Sequence, residues 1–210
     1  IRQLACVCHE NQKNGVLRNI FKEYGQKRVI IFSSSKAKVK EINKALREMK
    51  MNCGEMHSDL IQSQRDEVMY LFKSGQTDIL VATDIVARGI DIDDISMVVN
   101  YDVPHDTEDY VHRIGRTARA DHDGIAITLV RGKEVGKFMQ IEKFLGHEVE
   151  KIPLPKGLGK APEYKPMPQR KSNYCRKKSG KPRTAKDSKG KNKKKSDRKN
   201  KDGKTKEQRK

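Results

Sequence analysis

The stretch Ile79-Leu-Val-Ala-Thr-Asp-Ile-Val-Ala-Arg-Gly-Ile-Asp91 settles the class of fold. Its four leading apolar residues form an unbroken run, which reads as a strand covered on both faces. Such strands belong to parallel sheets, since a half-wet antiparallel strand would alternate. Polar residues then crowd the end of the strand: Thr83-Asp84, Arg88-Gly89 and Asp91. Gly89 permits a conformation or a close approach that a Cβ would block. Asp91, beyond it, is suited to accept hydrogen bonds from a ribose hydroxyl. An ordinary strand and loop with an Asx cap is the plain alternative, and the conjunction of all three polar groups disfavours it.

Outward from this stretch the pattern repeats. Strand candidates lie at 3–8, 28–32, 51–56, 97–101 and 125–130. Between them, apolar residues recur at helical spacing: Val16, Leu17, Ile20, Phe21 and Tyr24; Val39, Ile42, Ala45, Leu46 and Met49; Val68, Met69, Leu71 and Phe72, ending at Gly75. Further helices are expected over 106–116 and 134–145. Strand and helix alternate five or six times, which predicts an open parallel α/β sheet flanked by helices. In such sheets ligands bind at the carboxyl ends of the strands.

Three further polar clusters fall at those ends. Ser33-Ser-Ser-Lys36 opens a helix, where free N–H groups attract anions, although serine is also an ordinary N-cap. His57-Ser-Asp-Leu-Ile-Gln-Ser-Gln-Arg65 leads into another helix, with Gln62 and Arg65 three apart on one face, able to share a phosphate. Tyr110-Val-His-Arg-Ile-Gly-Arg-Thr-Ala-Arg-Ala120 holds His112, Arg113, Arg116 and Arg119 with no acid among them. On a helix Arg116 and Arg119 would share a face, with Gly115 and Ala118 leaving room for a polyphosphate between two guanidiniums.

Charge divides the chain. Residues 1–154 carry 23 Lys+Arg and 23 Asp+Glu, whereas 155–210 carry 23 against 5, so the whole net +18 lies in the last 56 positions. The expected domains are therefore a near-neutral folded unit at 1–154 and a Lys/Arg-rich tail at 155–210, disordered by composition. Cys6-Val-Cys8 is too tight for a zinc knuckle, and no second Cys/His pair lies nearby. Reduced structural thiols fit a cytoplasmic protein. No run of 18 apolar residues exists, nor a signal-peptide h-region, which disfavours membrane and secreted readings. The chain starts at Ile1, inside an apolar pattern, and is expected to be part of a longer protein.

With these motifs in order over residues 1–150, the chain resembles the C-terminal RecA-like domain of the DEAD-box RNA helicases of superfamily 2. Ile30-Ile-Phe-Ser-Ser-Ser-Lys36 is similar to the family's motif IV, His57–Arg65 to the Gln-x-x-Arg segment after it, Ala82–Asp91 to motif V and His112–Arg119 to motif VI. The resemblance implies that Arg116 and Arg119 are arginine fingers for the γ-phosphate of ATP, and that His112 couples the nucleotide to the partner domain. It implies that Gly89 and Asp91 meet the ribose side, and that Ser35, Gln62, Arg65 and Thr83 hold the RNA backbone, fixing position without reading sequence. Three positions depart from the family pattern: Ser35 (more often Thr), Ser58 (commonly Gly) and Ala118 (usually Gly).

One half of such an enzyme is absent from the sequence. A phosphate-cradling G-x-x-x-x-G-K-[ST] loop and an acidic Mg²⁺ site are required. The only Gly-Lys-Thr, at 203–205, has Arg198 in the first glycine's place and no strand before it, and Asp66-Glu67 fall within a predicted helix. The expected function is thus the C-terminal half of an ATP-dependent RNA helicase, acting as a monomer and inactive alone, with Mg²⁺ held by an N-terminal RecA-like domain. RNA is the expected partner of the tail, which has only Tyr164 and Tyr174 for stacking, so electrostatics should dominate. The alternatives are a non-catalytic RNA-binding or annealing module driven by the tail, and a DNA helicase of the same superfamily.

Overall fold

The computed structural model describes residues 1–84, 95–117 and 124–166. Seven strands form one parallel sheet: β1 (Arg2–Val7), β2 (Val29–Ser33), β3 (Cys53–Met56), β4 (Ile79–Thr83), β5 (Met97–Asn100), β6 (Ile125–Val130) and β7 (Glu150–Ile152). Their spatial order is β3-β4-β2-β5-β6-β1-β7. Helices α1 (Lys13–Tyr24), α2 (Lys36–Glu48), α3 (Gln62–Lys73), α4 (Thr107–Ile114) and α5 (Val135–Leu145) run between strands. The expected open parallel α/β sheet is present.

Burial explains the apolar runs. Every residue of β2 is buried, and its side chains alternate between two clusters. Val29 and Ile31 join Ile79, Val81, Val99 and Leu129 beneath α1 and α2. Ile30 and Phe32 join Leu80, Ala82 and Phe72 beneath α3. Tyr110 of α4 and Phe138 of α5 meet edge-on, with centroids 6.2 Å apart, over Ala5 and Ala126. Cys6, Cys8 and Cys53 are buried and free. Burial pushes the Cys6 thiol up to about 11 and the Cys8 thiol up to about 12, which makes them packing groups rather than nucleophiles. No helix among the described residues is long and apolar enough to cross a membrane.

Two features differ from expectation. β7 is a three-residue edge strand on β1, too short to show a period. Residues 155–166, assigned by composition to the tail, lie packed on the domain. Leu154 and Leu158 join the cluster under α1, and Tyr164 joins the one under α5. Gln12, itself buried, donates to the carbonyls of Leu158 at 2.7 Å and Lys160 at 3.0 Å. The Tyr164 hydroxyl reaches Glu142, which also takes Lys151 and the Val149 N–H. Composition fails here because three spaced anchors are enough to hold a strap that is otherwise polar. The rest of the expected tail, 167–210, lies outside the described residues.

Gly15 is a consequence of the strap. Inside α1 a glycine costs roughly 0.5–1 kcal/mol relative to alanine, but a Cβ there would sit 2.5 Å from a Leu158 methyl. Gly15→Ala should therefore gain little in the intact protein, and should gain about 0.5–1 kcal/mol when Leu158 is also alanine. Urea denaturation of the four proteins of this cycle measures the coupling. Additive effects would mean that the strap does not press on α1.

Candidate functional site

The strands end at a polar rim built around a buried carboxylate. Asp102, just past β5, is 2 % exposed. Its Oδ2 accepts from Ser33 Oγ at 3.0 Å, Ser34 Oγ at 3.1 Å and Ser34 N–H at 3.2 Å. Its Oδ1 accepts from Lys13 Nζ at 3.0 Å and Lys38 Nζ at 3.3 Å. Lys13 is fully buried; it also donates to the Tyr101 carbonyl at 2.7 Å and sits 4.5 Å above that tyrosine's ring. Glu10 closes the cluster, 2.5 Å from Lys38 and 3.2 Å from both Lys13 and Arg131. Burial alone would raise the Asp102 carboxyl. The Lys13 ammonium, its hydrogen bond, the Ser34 N–H and Lys38 outweigh it and hold the group well below the usual carboxylate range.

A second buried ion ties α4 to the same rim. Arg113, 3 % exposed, grips Asp84 through Nε at 2.5 Å and Nη2 at 2.6 Å. Its Nη1 donates to Asn100 Oδ1 at 3.2 Å and to the Asp102 carbonyl at 3.1 Å. The guanidinium lies 5.3 Å over the Phe32 ring. Neither Arg113 nor Lys13 and Asp102 was assigned a role from sequence. Arg113 was visible only as one of four basic residues in a motif.

Beside these anchors is a cleft of about 300 Å³, lined by Ser34, Ser35, Lys36, Ser58, Thr83, Asp84 and Asp109. Two of the sequence candidates, Ser35 and Thr83, therefore meet there, because Ser33 and Thr83 are register partners at the ends of β2 and β4. Ser35 caps α2, its Oγ accepting from Lys38 N–H at 3.3 Å. Gln62 and Arg65 occupy the first turn of α3 but do not line the cleft. Gln62 donates to Asp66 at 2.8 Å, while Arg65 reaches the Ser58 carbonyl at 3.3 Å and keeps its buried Nε unpartnered. His112 is exposed on the last turn of α4. Asp66 and Glu67 are within α3, as expected.

The helical argument for Arg116 does not hold. α4 ends at Ile114; the Arg116 N–H turns back to Arg113, and Thr117 pairs with Ile95 in a parallel bridge, its hydroxyl donating to the Ile95 carbonyl at 2.5 Å. Gly115 suits this ending, since a Cβ there would press on the Val111 carbonyl at 3.1 Å. Arg116 is half-buried just past the helix. Gly89, Asp91, Ala118 and Arg119 lie outside the described residues. Among the described residues no group of three or more His, Cys, Asp or Glu could hold a metal ion.

The buried pair makes a sharp prediction. Lys13→Met removes the fully buried partner of Asp102 and leaves it the Lys38 ammonium and the serine donors, so it should cost up to about 3–5 kcal/mol, and adding Asp102→Asn should restore part of it. Because the native carboxyl is depressed, its stabilisation is complete above the unfolded value, near pH 4, and is lost as pH falls below that. Denaturation midpoints of the wild type should therefore drop below about pH 4 more steeply than those of the double mutant; parallel profiles would count against the pair.

Comparison with known proteins agrees with this geometry. Residues 12–121 match the family described as "Helicase conserved C-terminal domain". The ATP-dependent RNA helicase eIF4A of Kluyveromyces lactis is 38% identical over 144 residues, 69% of this chain and 36% of the relative, so the chain spans about a third of that protein's length. The E. coli DEAD-box protein SrmB, solved bound to the regulator of ribonuclease activity A, superimposes with a TM-score of 0.69 at 32% identity, covering 77% of this chain and 96% of that one. S. cerevisiae Dbp5, solved bound to RNA and ADP BeF3, gives 0.69 at 34% identity over 73% of this chain and 42% of that one. With the family model covering half the chain and the sheet shared along nearly the whole solved SrmB chain, this chain belongs to the DEAD-box helicases of superfamily 2, as their C-terminal RecA-like domain.

Proposed function

We propose that the chain is the C-terminal half of an ATP-dependent RNA helicase that separates short duplexes locally. One observation carries this reading: the cleft gathers Ser35, Ser58, Thr83 and Lys36 from three separate loops onto one rim, and Arg113 clamps the finger-bearing segment to that rim through Asp84. RNA phosphates would lie against Ser35 and Thr83, with Gln62 and Arg65 at the adjoining helix start.

Arg116 and Arg119 would act as fingers on the γ-phosphate of an ATP held mainly by an N-terminal RecA-like domain, which would also hold Mg²⁺. Bound ATP supplies the phosphoryl group. This chain's residues stabilise charge that develops on it (Arg116, Arg119), meet the ribose (Gly89, Asp91) and couple to the partner domain (His112). A finger presented across an interface is worth about 10³–10⁵ in rate, so the two halves would work only when closed together. The tail would tether RNA by counterion release, without sequence preference. The protein would act as a monomer in the cytoplasm.

In a protein joining this chain to its N-terminal half, Arg119→Ala should reduce RNA-stimulated ATP turnover by about 10³ or more while RNA affinity changes less than about threefold. Turnover at the wild-type level would sink the finger assignment. RNA annealing that persists without the N-terminal half would favour the non-catalytic module. Removing residues 167–210, which spares the packed strap, should weaken RNA binding and flatten its salt dependence; an unchanged slope would rule out the tether.

A further inference from the structure

The loop between β3 and α3 carries an ion triad that the proposed function does not use. Asp59 Oδ1 is 2.7 Å from Lys36 Nζ, and its Oδ2 is 2.8 Å from Lys40 Nζ. The two lysines stand one turn apart on α2, and all three side chains are substantially exposed. The hydrogen bonds from Lys36 and then Lys40 hold the Asp59 carboxyl down to about 2, so Asp59 is ionised at neutral pH. Lys36 also lines the cleft, where it is the one cation among the described lining residues. The other groups there are hydroxyls, the Asp84 carboxylate already gripped by Arg113 and the Asp109 carboxylate.

Resting on the RNA-binding reading of the cleft, we propose that Lys36 is an RNA phosphate contact held in reserve by Asp59, and that Lys40 takes over Asp59 when Lys36 turns to the phosphate. The chemistry favours the exchange. Asp59 has two oxygens and two cations, one on each. Losing Lys36 therefore leaves the carboxylate paired and strands no charge. Exposed lysine–carboxylate pairs are weak, so the pair opens readily, whereas an ammonium on a phosphate in the cleft also releases a counterion from the RNA. Ser35 caps α2 next to Lys36, so a phosphate held by that helix start lies within a side chain's reach of the ammonium. With Asp59 engaged, the rim is less attractive to anions in general; it acquires its cation only when an acceptor occupies the cleft.

The test uses the full chain and a fluorescent single-stranded RNA, with affinity measured from low to moderate salt. The tail is present in every protein, so its contribution cancels in the differences. Lys36→Gln should lower affinity about threefold at low salt and make the slope of log affinity against log salt shallower by about 0.7, one phosphate contact for a single strand. Lys44→Gln, the same charge change two turns further along α2, should leave the slope unaltered. Asp59→Asn should raise affinity about threefold. Equal slopes for Lys36→Gln and Lys44→Gln, or weaker binding by Asp59→Asn, would overturn the exchange. Arg65→Ala separates the two readings: if it weakens binding while Lys36→Gln does nothing, the exchange alone fails. If both are silent, the cleft does not take RNA and both readings fall.

Discussion

A carboxylate taken out of water must be compensated on every side, and the rim of this sheet is organised by that requirement. Two buried charges left unpaired would cost several kcal/mol each. Asp102 is satisfied only if Lys13 arrives from the start of α1, Lys38 from the first turn of α2 and Ser33 and Ser34 from the end of β2. Its backbone carbonyl then receives Arg113 from α4. Elements far apart in sequence are thereby fixed relative to one another at the one edge of the sheet where loops would ordinarily drift. The Ser34–Ser35 turn belongs to the electrostatic core, so the hydroxyls it presents are preorganised rather than recruited on binding. Arg113 extends the same logic: four of its N–H donors meet Asp84, Asn100 and a carbonyl, so the segment leaving α4 starts from a fixed point.

Much of this architecture could be read from sequence because burial writes itself as periodicity. Val29-Ile-Ile-Phe32 and Ile79-Leu-Val-Ala82 are unbroken apolar runs because both sheet faces are covered, and α2 shows a 3.6-residue stripe because only one of its faces is. The motifs at the strand ends were legible for a different reason: hydroxyls, Gly89 and paired arginines are unusual next to such strands. Lys13 and Asp102 were not legible. They lie 89 positions apart, each looks like one more surface charge, and nothing local marks a lysine at the start of an amphipathic helix as fully buried. The strap was hidden because its anchors, Leu154, Leu158 and Tyr164, are too sparse to form a period. Gly15 was the trace it left, a helix-interior glycine without a local purpose. Arg116 was misplaced on a helix because i, i+3 spacing says nothing about Gly115 ending that helix or about the Thr117–Ile95 bridge.

The even balance of charge in residues 1–154 acquires a physical meaning from these pairs. Lys13 faces Asp102, Arg113 faces Asp84, Arg131 faces Glu134 and Lys36 faces Asp59. At a distance beyond the Debye length, about 8–10 Å in physiological salt, such pairs present almost no field. On the proposed function, a rim of this kind positions a polyanion that has already arrived but does not attract one from afar. The net +18 of residues 155–210 is of the opposite kind: unbalanced, long-ranged, and with little means of fixing geometry. On the proposed function, encounter and placement are therefore handled by different parts of the chain. The two make distinguishable contributions, since counterion release scales with the number of cations engaged, whereas neutral hydroxyls and backbone N–H groups at strand ends add affinity that salt barely touches.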